Sequence, residues 1–557
     1  MKRTASLALS LFLIGCASTD TETQQAAVAS AHPLATEAGL DVLEAGGNAY
    51  DAAVATAAVL GVVEPYAAGM GGGGFWVLQD GDGDALVVDA RETAPGRATP
   101  DMYLDSDGEP LPDRPSLNGA LAAGIPGQPA ALAHITGEYG TLSLSDNLAD
   151  AIHHAREGFP VDERYRMLAG FRGDVMRDYA TTRELFLDDE GKPPEEGTLI
   201  HQQALAETME MLAEQGHDGF YRGEVAEALL ADVQQAGGIW TLDDLHDYEL
   251  IERSPRLIEF GDATIVTAPA PSSGGIALAQ MFGMLEHRAV PQDAERIERV
   301  HLLSEMMRRA YRDRALHLGD PDFTDIPVDR LLDSDYLAEL ATGIDAEAAT
   351  PSSELTGPGT DGTHTTHLSV VDAEGNAVSA TLSINYPFGS GVTSQQTGIV
   401  LNNEMDDFSI KPGEPNAWGL IGGEANRVEP GKRPLSSMSP SILNTPEGLT
   451  ILGTPGGSRI ITMNFLGLLD ALDGTSPETT VARSRFHHQY EPDAIQHEPD
   501  TFSEDEKSQL RTLGHELEDV GREYGNMQLI QRQQTGETSA AADPRGIGSA
   551  EVRQLSE

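Results

Sequence analysis

The stretch that decides the fold is Thr366–Val371 (THLSVV), Asp372–Asn376 (DAEGN) and Ala377–Ser383 (AVSATLS). Two runs rich in β-branched and small residues flank a polar, Gly-containing turn, which predicts a β-hairpin. Just before it, residues 346–363 (AEAATPSSELTGPGTDGT) are small, polar and rich in Pro and Gly, as in an exposed flexible segment. The hairpin is thus entered abruptly, through Thr365. A threonine hydroxyl is a weak nucleophile that needs a nearby base. If Thr365 began a chain, its own α-amine, with an ordinary pKa of about 7.7–8, would supply one. That requires cutting His364–Thr365. The residue types alone make Thr365 only a strand residue.

Downstream, strands are expected near 396–402 and 449–454 and a helix over about 459–471. Upstream, apolar residues at three- and four-residue spacing predict helices over 127–138, 144–157, 202–215, 223–236 and 294–317, with a strand pair near 247–251 and 263–267. Residues 101–125 read as loop, and 33–62 as helix broken at Gly46-Gly47-Asn48. The glycine run 69–74 leads into strand-like Phe75-Trp76-Val77-Leu78. It matches no phosphate-binding pattern and reads as structural, allowing close backbone approach. Ser272-Ser273-Gly274-Gly275 reads as a turn or helix cap.

The 557 residues carry 89 acidic and 36 basic side chains, a net charge of −53. Such a field repels phosphate backbones and excludes nucleic-acid binding. The acids are spread along the chain, and only five of the basic residues are Lys. This fits a halophilic surface, with an ordinary solvated acidic surface as the alternative. The single Cys, Cys16, excludes a disulfide framework and Cys-based zinc sites. His487 and His488 have no companion ligands at metal spacing. No cofactor or metal is called for.

Met1-Lys2-Arg3 and the ten-residue, mainly apolar stretch 5–14 form a signal-like leader, too short to span a bilayer. It runs into Leu13-Ile14-Gly15-Cys16, which resembles a bacterial lipoprotein cleavage box. The reading is a signal over 1–15, lipidation at Cys16, and a polar tether over 16–30, with the mature chain on a periplasmic or cell-surface face. An ordinary secretory signal with an incidental Cys is the alternative.

Longer motifs go further. TTHLSVVDAEGNAVSATLSINYPFGSGV (365–392), GIVLNNEMDDFSIKPGEPN (398–416), GEANRVEPGKRPLSSMSPSI (423–442), GTPGGSRIITMN (453–464), RFHHQYEPD (485–493) and ADPR (542–545) stand in order. Upstream are GLDVLEAGGNAYDAAVATAAVLGVVEP (39–65), GMGGGGFWVL (69–78), DARETAP (89–95) and APSSGGIAL (270–278). Together they resemble the γ-glutamyltranspeptidases of the N-terminal-nucleophile hydrolase superfamily over about 31–550.

The resemblance implies an α+β, four-layer αββα sandwich, cut between His364 and Thr365 into a large fragment (31–364 after the tether) and a small one (365–557) that stay together as a heterodimer. It implies Thr365 as nucleophile and Ser383 as its hydrogen-bonding neighbour, where many members have Thr. Gly456 and Gly457 would supply backbone donors to an oxyanion. Arg91, Ser436 and Ser437 would hold the α-carboxylate of a γ-glutamyl group, and Asn385, Glu404 and Asp407 its α-ammonium. The segment 409–428 would be a lid, with Trp418 its aromatic residue. The implied activity is transfer of the γ-glutamyl group of glutathione and similar amides to water, amino acids or peptides. Two alternatives remain at this stage: a cephalosporin acylase on the same scaffold, and a non-catalytic surface lipoprotein.

Overall fold

The computed structural model describes residues 25–290, 295–354, 365–416 and 419–555. Two antiparallel sheets face each other. The first has seven strands in the order Ser549–Gln554, Gln25–Ser30, Thr366–Val371, Ala377–Ser383, Gly73–Gln79, Ala85–Ala90 and Ile251–Arg253. The second has six, in the order Thr538–Ala542, Gln528–Gln533, Gly448–Gly453, Ser441–Thr445, Ala263–Thr267 and Arg256–Phe260. Side-chain alternation explains the layering. In Gly73–Gln79, Phe75 and Val77 join Val87, Val266, Ile442, Ile451 and Ile530 between the sheets. Trp76 and Leu78 face the other way, into a cluster with the helices Pro33–Glu44 and Ala49–Val63. The helices Gly274–His287, Arg296–His317 and Ile460–Leu472 cover the outer face of the second sheet. This is the expected αββα sandwich.

The expected hairpin is present, with Val371 opposite Ala377 and Leu382 opposite Thr366. The helix predictions hold closely: 128–139, 203–215, 223–235, 296–317 and 460–472 are helical, and 144–157 is two short helices broken at Leu148. The break at 46–48 is also real, because Asn48 and Asp51 form a reciprocal cap that starts the next helix.

Four expectations fail. The strands near 247–251 and 263–267 are not a pair: Ile251–Arg253 edges the first sheet, whereas Ala263–Thr267 lies in the second between Arg256–Phe260 and Ser441–Thr445. The tether over 16–30 ends early: Gln25–Ser30 is a buried strand between Ser549–Gln554 and Thr366–Val371. Its small side chains carry little strand propensity, and sheet pairing on both edges overrides that. Residues 349–352 are not loose. The Ala349 amide donates to the Leu513 carbonyl at 2.6 Å, and buried Ser352 bonds the Tyr490 carbonyl and Asp493. The strand near 396–402 is only a single bridge, Thr393 to Val400, because Gly398 turns the chain with φ 70°.

The glycine run acts by close approach. A Cβ on Gly72 would lie 2.1 Å from the carbonyl oxygen of Ser383. Only glycine lets this segment pack against the strand end where Ser383 sits.

Candidate active site

Thr365 is buried, 5% exposed, at the entry to a central strand of the first sheet. The pairing of Thr366 with Leu382 carries on to bring Ser383 beside Thr365, and both line one cavity. The Ser383 hydroxyl oxygen accepts the Asn385 amide at 2.7 Å. Asn385, at φ 70°, donates its side-chain amide to the Asn403 carbonyl at 3.0 Å. Behind the nucleophile, the Thr366 hydroxyl donates to Glu64 at 2.7 Å. Burial pushes the Glu64 carboxyl above the usual range, partly offset by Arg164.

The second sheet supplies the facing wall. Strand Gly448–Gly453 runs through Thr454 and Pro455 into Gly456 (φ 149°) and Gly457 (φ 55°), and the helix Ile460–Leu472 follows. Both glycines occupy backbone conformations that disfavour a side chain. Gly457 lines the cavity, just before the N-terminus of that helix. The Tyr311 hydroxyl braces the turn by donating to the Ser458 carbonyl.

A buried charge cluster closes the far end. Arg91 follows strand Ala85–Ala90 and is 1% exposed. Its Nε donates to the Pro434 carbonyl at 3.2 Å. Its Nη1 lies 2.6 Å from Glu404 Oε2 and 3.5 Å from Glu92, and its Nη2 meets Asp407. Burial opposes the Arg91 charge, but Glu404, Asp407 and Glu92 outweigh it and hold the guanidinium protonated. Burial pushes Glu404 well above the carboxylate range and Glu92 up to about 8, each drawn back by Arg91. Neither Glu404 oxygen has an aligned hydrogen-bond donor among the described residues. The two ends of the expected glutamyl clamp are therefore in direct contact, carboxylates against guanidinium.

Ser436 and Ser437 form the remaining wall. Ser273 holds them: its amide and hydroxyl both donate to the Ser436 carbonyl, at 2.7 and 2.6 Å. The Ser272 hydroxyl donates to the Met438 carbonyl at 2.5 Å. The Ser272-Ser273 pair stands at the turn into the helix, as expected from sequence, and is also a brace for the Ser436-Ser437 segment. Ser273 does precede the helix Gly274–His287, but its side chain makes no cap bond.

Every cavity-facing residue expected from the resemblance converges: Arg91, Thr365, Ser383, Asn385, Glu404, Asp407, Ser436, Ser437 and Gly457, with Gly456 adjoining. Trp418, His364 and Cys16 lie outside the described residues. The sequence reading missed Arg314, which also lines the cavity. It is a charged residue on the buried stripe of helix Arg296–His317 that carries Ile297, Val300, Ser304, Met307 and Tyr311. That misplaced charge was its visible signal. His487 is engaged by Thr462 and Gln489, each at 2.8 Å.

A model of the gamma-glutamyltranspeptidase family matches residues 35–552. The chain is 41% identical to the glutathione hydrolase proenzyme of Pseudomonas aeruginosa, covering 98% of each chain. It is 39% identical to that of Escherichia coli, over 94% of this chain and 91% of the relative. Among solved structures, a cephalosporin acylase from Bacillus halodurans superposes with a TM-score of 0.82 at 28% identity, covering 99% and 98% of the two chains. The gamma-glutamyltranspeptidase of Helicobacter pylori superposes with a TM-score of 0.56 at 37% identity, covering 59% of this chain and 94% of that one. With its order of motifs, its fold and its converging site, this chain belongs to the γ-glutamyltranspeptidase family.

Proposed function

We propose that the protein is a self-processing γ-glutamyltransferase and glutathione hydrolase. The observation that carries this is the meeting, in one cavity, of Thr365, a glycine turn for an oxyanion, and a paired cation and carboxylate cluster suited to a zwitterion. In maturation, the Thr365 hydroxyl attacks the His364 carbonyl and the peptide becomes an ester. Water then hydrolyses the ester, leaving a free α-amine on Thr365 and a carboxyl terminus on His364. In turnover, the amine takes the hydroxyl proton as Thr365 attacks the γ-carbonyl. The Gly456-Gly457 turn stabilises the oxyanion, a contribution of about 10²–10³ in rate per donor. The amine leaving group departs with a proton, and the γ-glutamyl ester passes to water or to an acceptor amine.

The charged end explains donor choice. A γ-glutamyl head carries a carboxylate and an ammonium on one carbon. Inserted between Arg91 and the acids, it replaces one ion pair by two: Arg91, Ser436 and Ser437 take the carboxylate, and Glu404, Asp407 and Asn385 take the ammonium. The cavity's open volume is about 20 Å³, room for a water. The Arg91–Asp407 contact therefore opens as substrate enters. A cephalosporin acylase is the second reading, favoured by the superposition on the Bacillus halodurans enzyme. The three acids around Arg91 speak for a donor with an ammonium.

The large and small fragments remain one heterodimer, since Thr366–Val371 pairs with Gln25–Ser30 across the cut. Cys16 anchors the protein by lipid to a periplasmic or cell-surface membrane face, and the acidic surface is an adaptation to salt. Purified protein should run as two bands on a denaturing gel, the smaller beginning Thr-Thr-His-Leu, and should release glutamate from glutathione. Thr365→Ala should run as one band without turnover. A wild-type chain that is active while unbroken would overturn the reading, and acylase activity alone would support the second one.

A further inference from the structure

The cavity holds a second guanidinium that the clamp just described does not use. Arg314 is 4% exposed and lines the same cavity as Thr365 and Arg91. Its Nε donates to the Ser273 hydroxyl at 3.0 Å and its Nη2 to the Ser437 hydroxyl at 3.3 Å. Among the described residues it forms no ion pair, whereas Arg91 is faced by Glu92, Glu404 and Asp407. Burial lowers the Arg314 guanidinium to about 10, with Tyr311 and Asp407 acting the other way, so it remains charged at neutral pH.

A buried cation without a counter-ion is costly unless an anion arrives. The position of this one says which anion. Arg91 is already paired with Glu404 and Asp407, so a carboxylate entering there gains from a second cation on the serine side. Arg314 lies beside the serine wall, bonded to Ser273 and Ser437. A hydroxyl has one proton and two acceptor sites. With Arg314 Nη2 occupying an acceptor site of Ser437, the Ser437 proton is directed elsewhere, and the cavity is the side open to a ligand oxygen. Ser273, gripped by Arg314 Nε, donates its own proton to the Ser436 carbonyl and fixes the other serine.

The geometry points to Arg314 as the positioning and specificity residue for the donor's α-carboxylate: it orients Ser437 and adds a second positive charge to the one that Arg91 supplies. This rests on the γ-glutamyl reading above and adds a residue to it.

The test compares processed wild type, Arg314→Gln and Arg314→Lys on two chromogenic donors. One is γ-glutamyl-4-nitroanilide, and the other is 4-aminobutyryl-4-nitroanilide, which keeps the ammonium and lacks the α-carboxylate. Arg314→Gln should raise KM for the γ-glutamyl donor at least about tenfold with kcat within about threefold, and leave kcat/KM for the 4-aminobutyryl donor within about threefold. Arg314→Lys should recover part of the lost KM. If Arg314→Gln is not processed, Arg314→Lys is read by the same donor comparison, because its single ammonium cannot hold Ser273 and Ser437 together as the fork does. Equal effects on both donors, or an unchanged KM for the γ-glutamyl donor, would overturn the proposal alone. A wild type inactive on the γ-glutamyl donor would overturn the functional reading, and the proposal with it.

Discussion

Asp407→Asn separates the ammonium contact from everything else at the site. Asn has the same shape, so the 3-10 turn Glu404–Asp407 is undisturbed. Arg91 keeps Glu404 at 2.6 Å and the Pro434 carbonyl at 3.2 Å, so it does not become an isolated buried charge. Folding and processing should therefore survive. What is lost is one charged acceptor for the substrate ammonium. Hydrogen bonds to charged groups contribute about 1.5–3 kcal/mol. At about 1.4 kcal/mol per factor of ten, kcat/KM on γ-glutamyl-4-nitroanilide should fall about 10- to 150-fold. The control is glutaryl-4-nitroanilide, which keeps the carboxylate and lacks the ammonium. It has nothing for Asp407 to hold, so its kcat/KM should change by less than about threefold. Release of 4-nitroaniline, followed by absorbance at several donor concentrations, reads both. An equal loss on the two donors would show that Asp407 serves only to fix Arg91, and the assignment of the ammonium to the acidic side would fail.

Gly72→Ala should destabilise the fold by about 1–3 kcal/mol and slow self-cleavage, because the new Cβ meets the Ser383 carbonyl at 2.1 Å and Ile384 at 2.8 Å. Denaturant unfolding and a gel time course test this, and unchanged stability refutes it. Burial lowers His367 to about 3, and it is held between Thr381 and Ser369 at 2.8 and 3.2 Å. Between about pH 6.5 and 3 the unfolded chain binds a proton there that the folded chain does not, so this contribution to stability is lost as pH falls, by up to about 1.4 kcal/mol per unit. His367→Asn lacks that loss, so its stability deficit against wild type should shrink from pH 7 to pH 4.5, and a constant deficit would refute the assignment. With 89 acids against 36 bases, the melting temperature should rise from 0.1 M NaCl towards molar levels, and a flat or falling curve removes the halophilic reading.

The parts of the fold legible in the sequence were those with strong local signals. The hairpin 366–383 alternates around a Gly turn, and the helices 203–215, 223–235 and 296–317 carry clear stripes. Residues 25–30 gave no such signal, because alanines and a valine become a strand only between two partners already in place. Residues 349–352 likewise have loop composition and are ordered by distant groups, Leu513, Tyr490 and Asp493. The site's membership was legible through its motifs. Its wiring was not: the Ser272-Ser273 brace and the Arg314 contact join segments far apart in sequence.

Local chemistry, written in order along the chain, determined by itself the acidic character, the hairpin and the family motifs around Thr365. Alternation and turn residues act over a few positions, so one chain suffices to read them. Which charges neutralise one another is a different kind of fact, because it depends on three-dimensional distance and on water being excluded. Only the folded sandwich sets Arg91 against three carboxylates and leaves Arg314, beside the serine wall, without one among the described residues. Burial makes that imbalance matter, since an unmatched charge that water would screen at the surface acts at full strength inside.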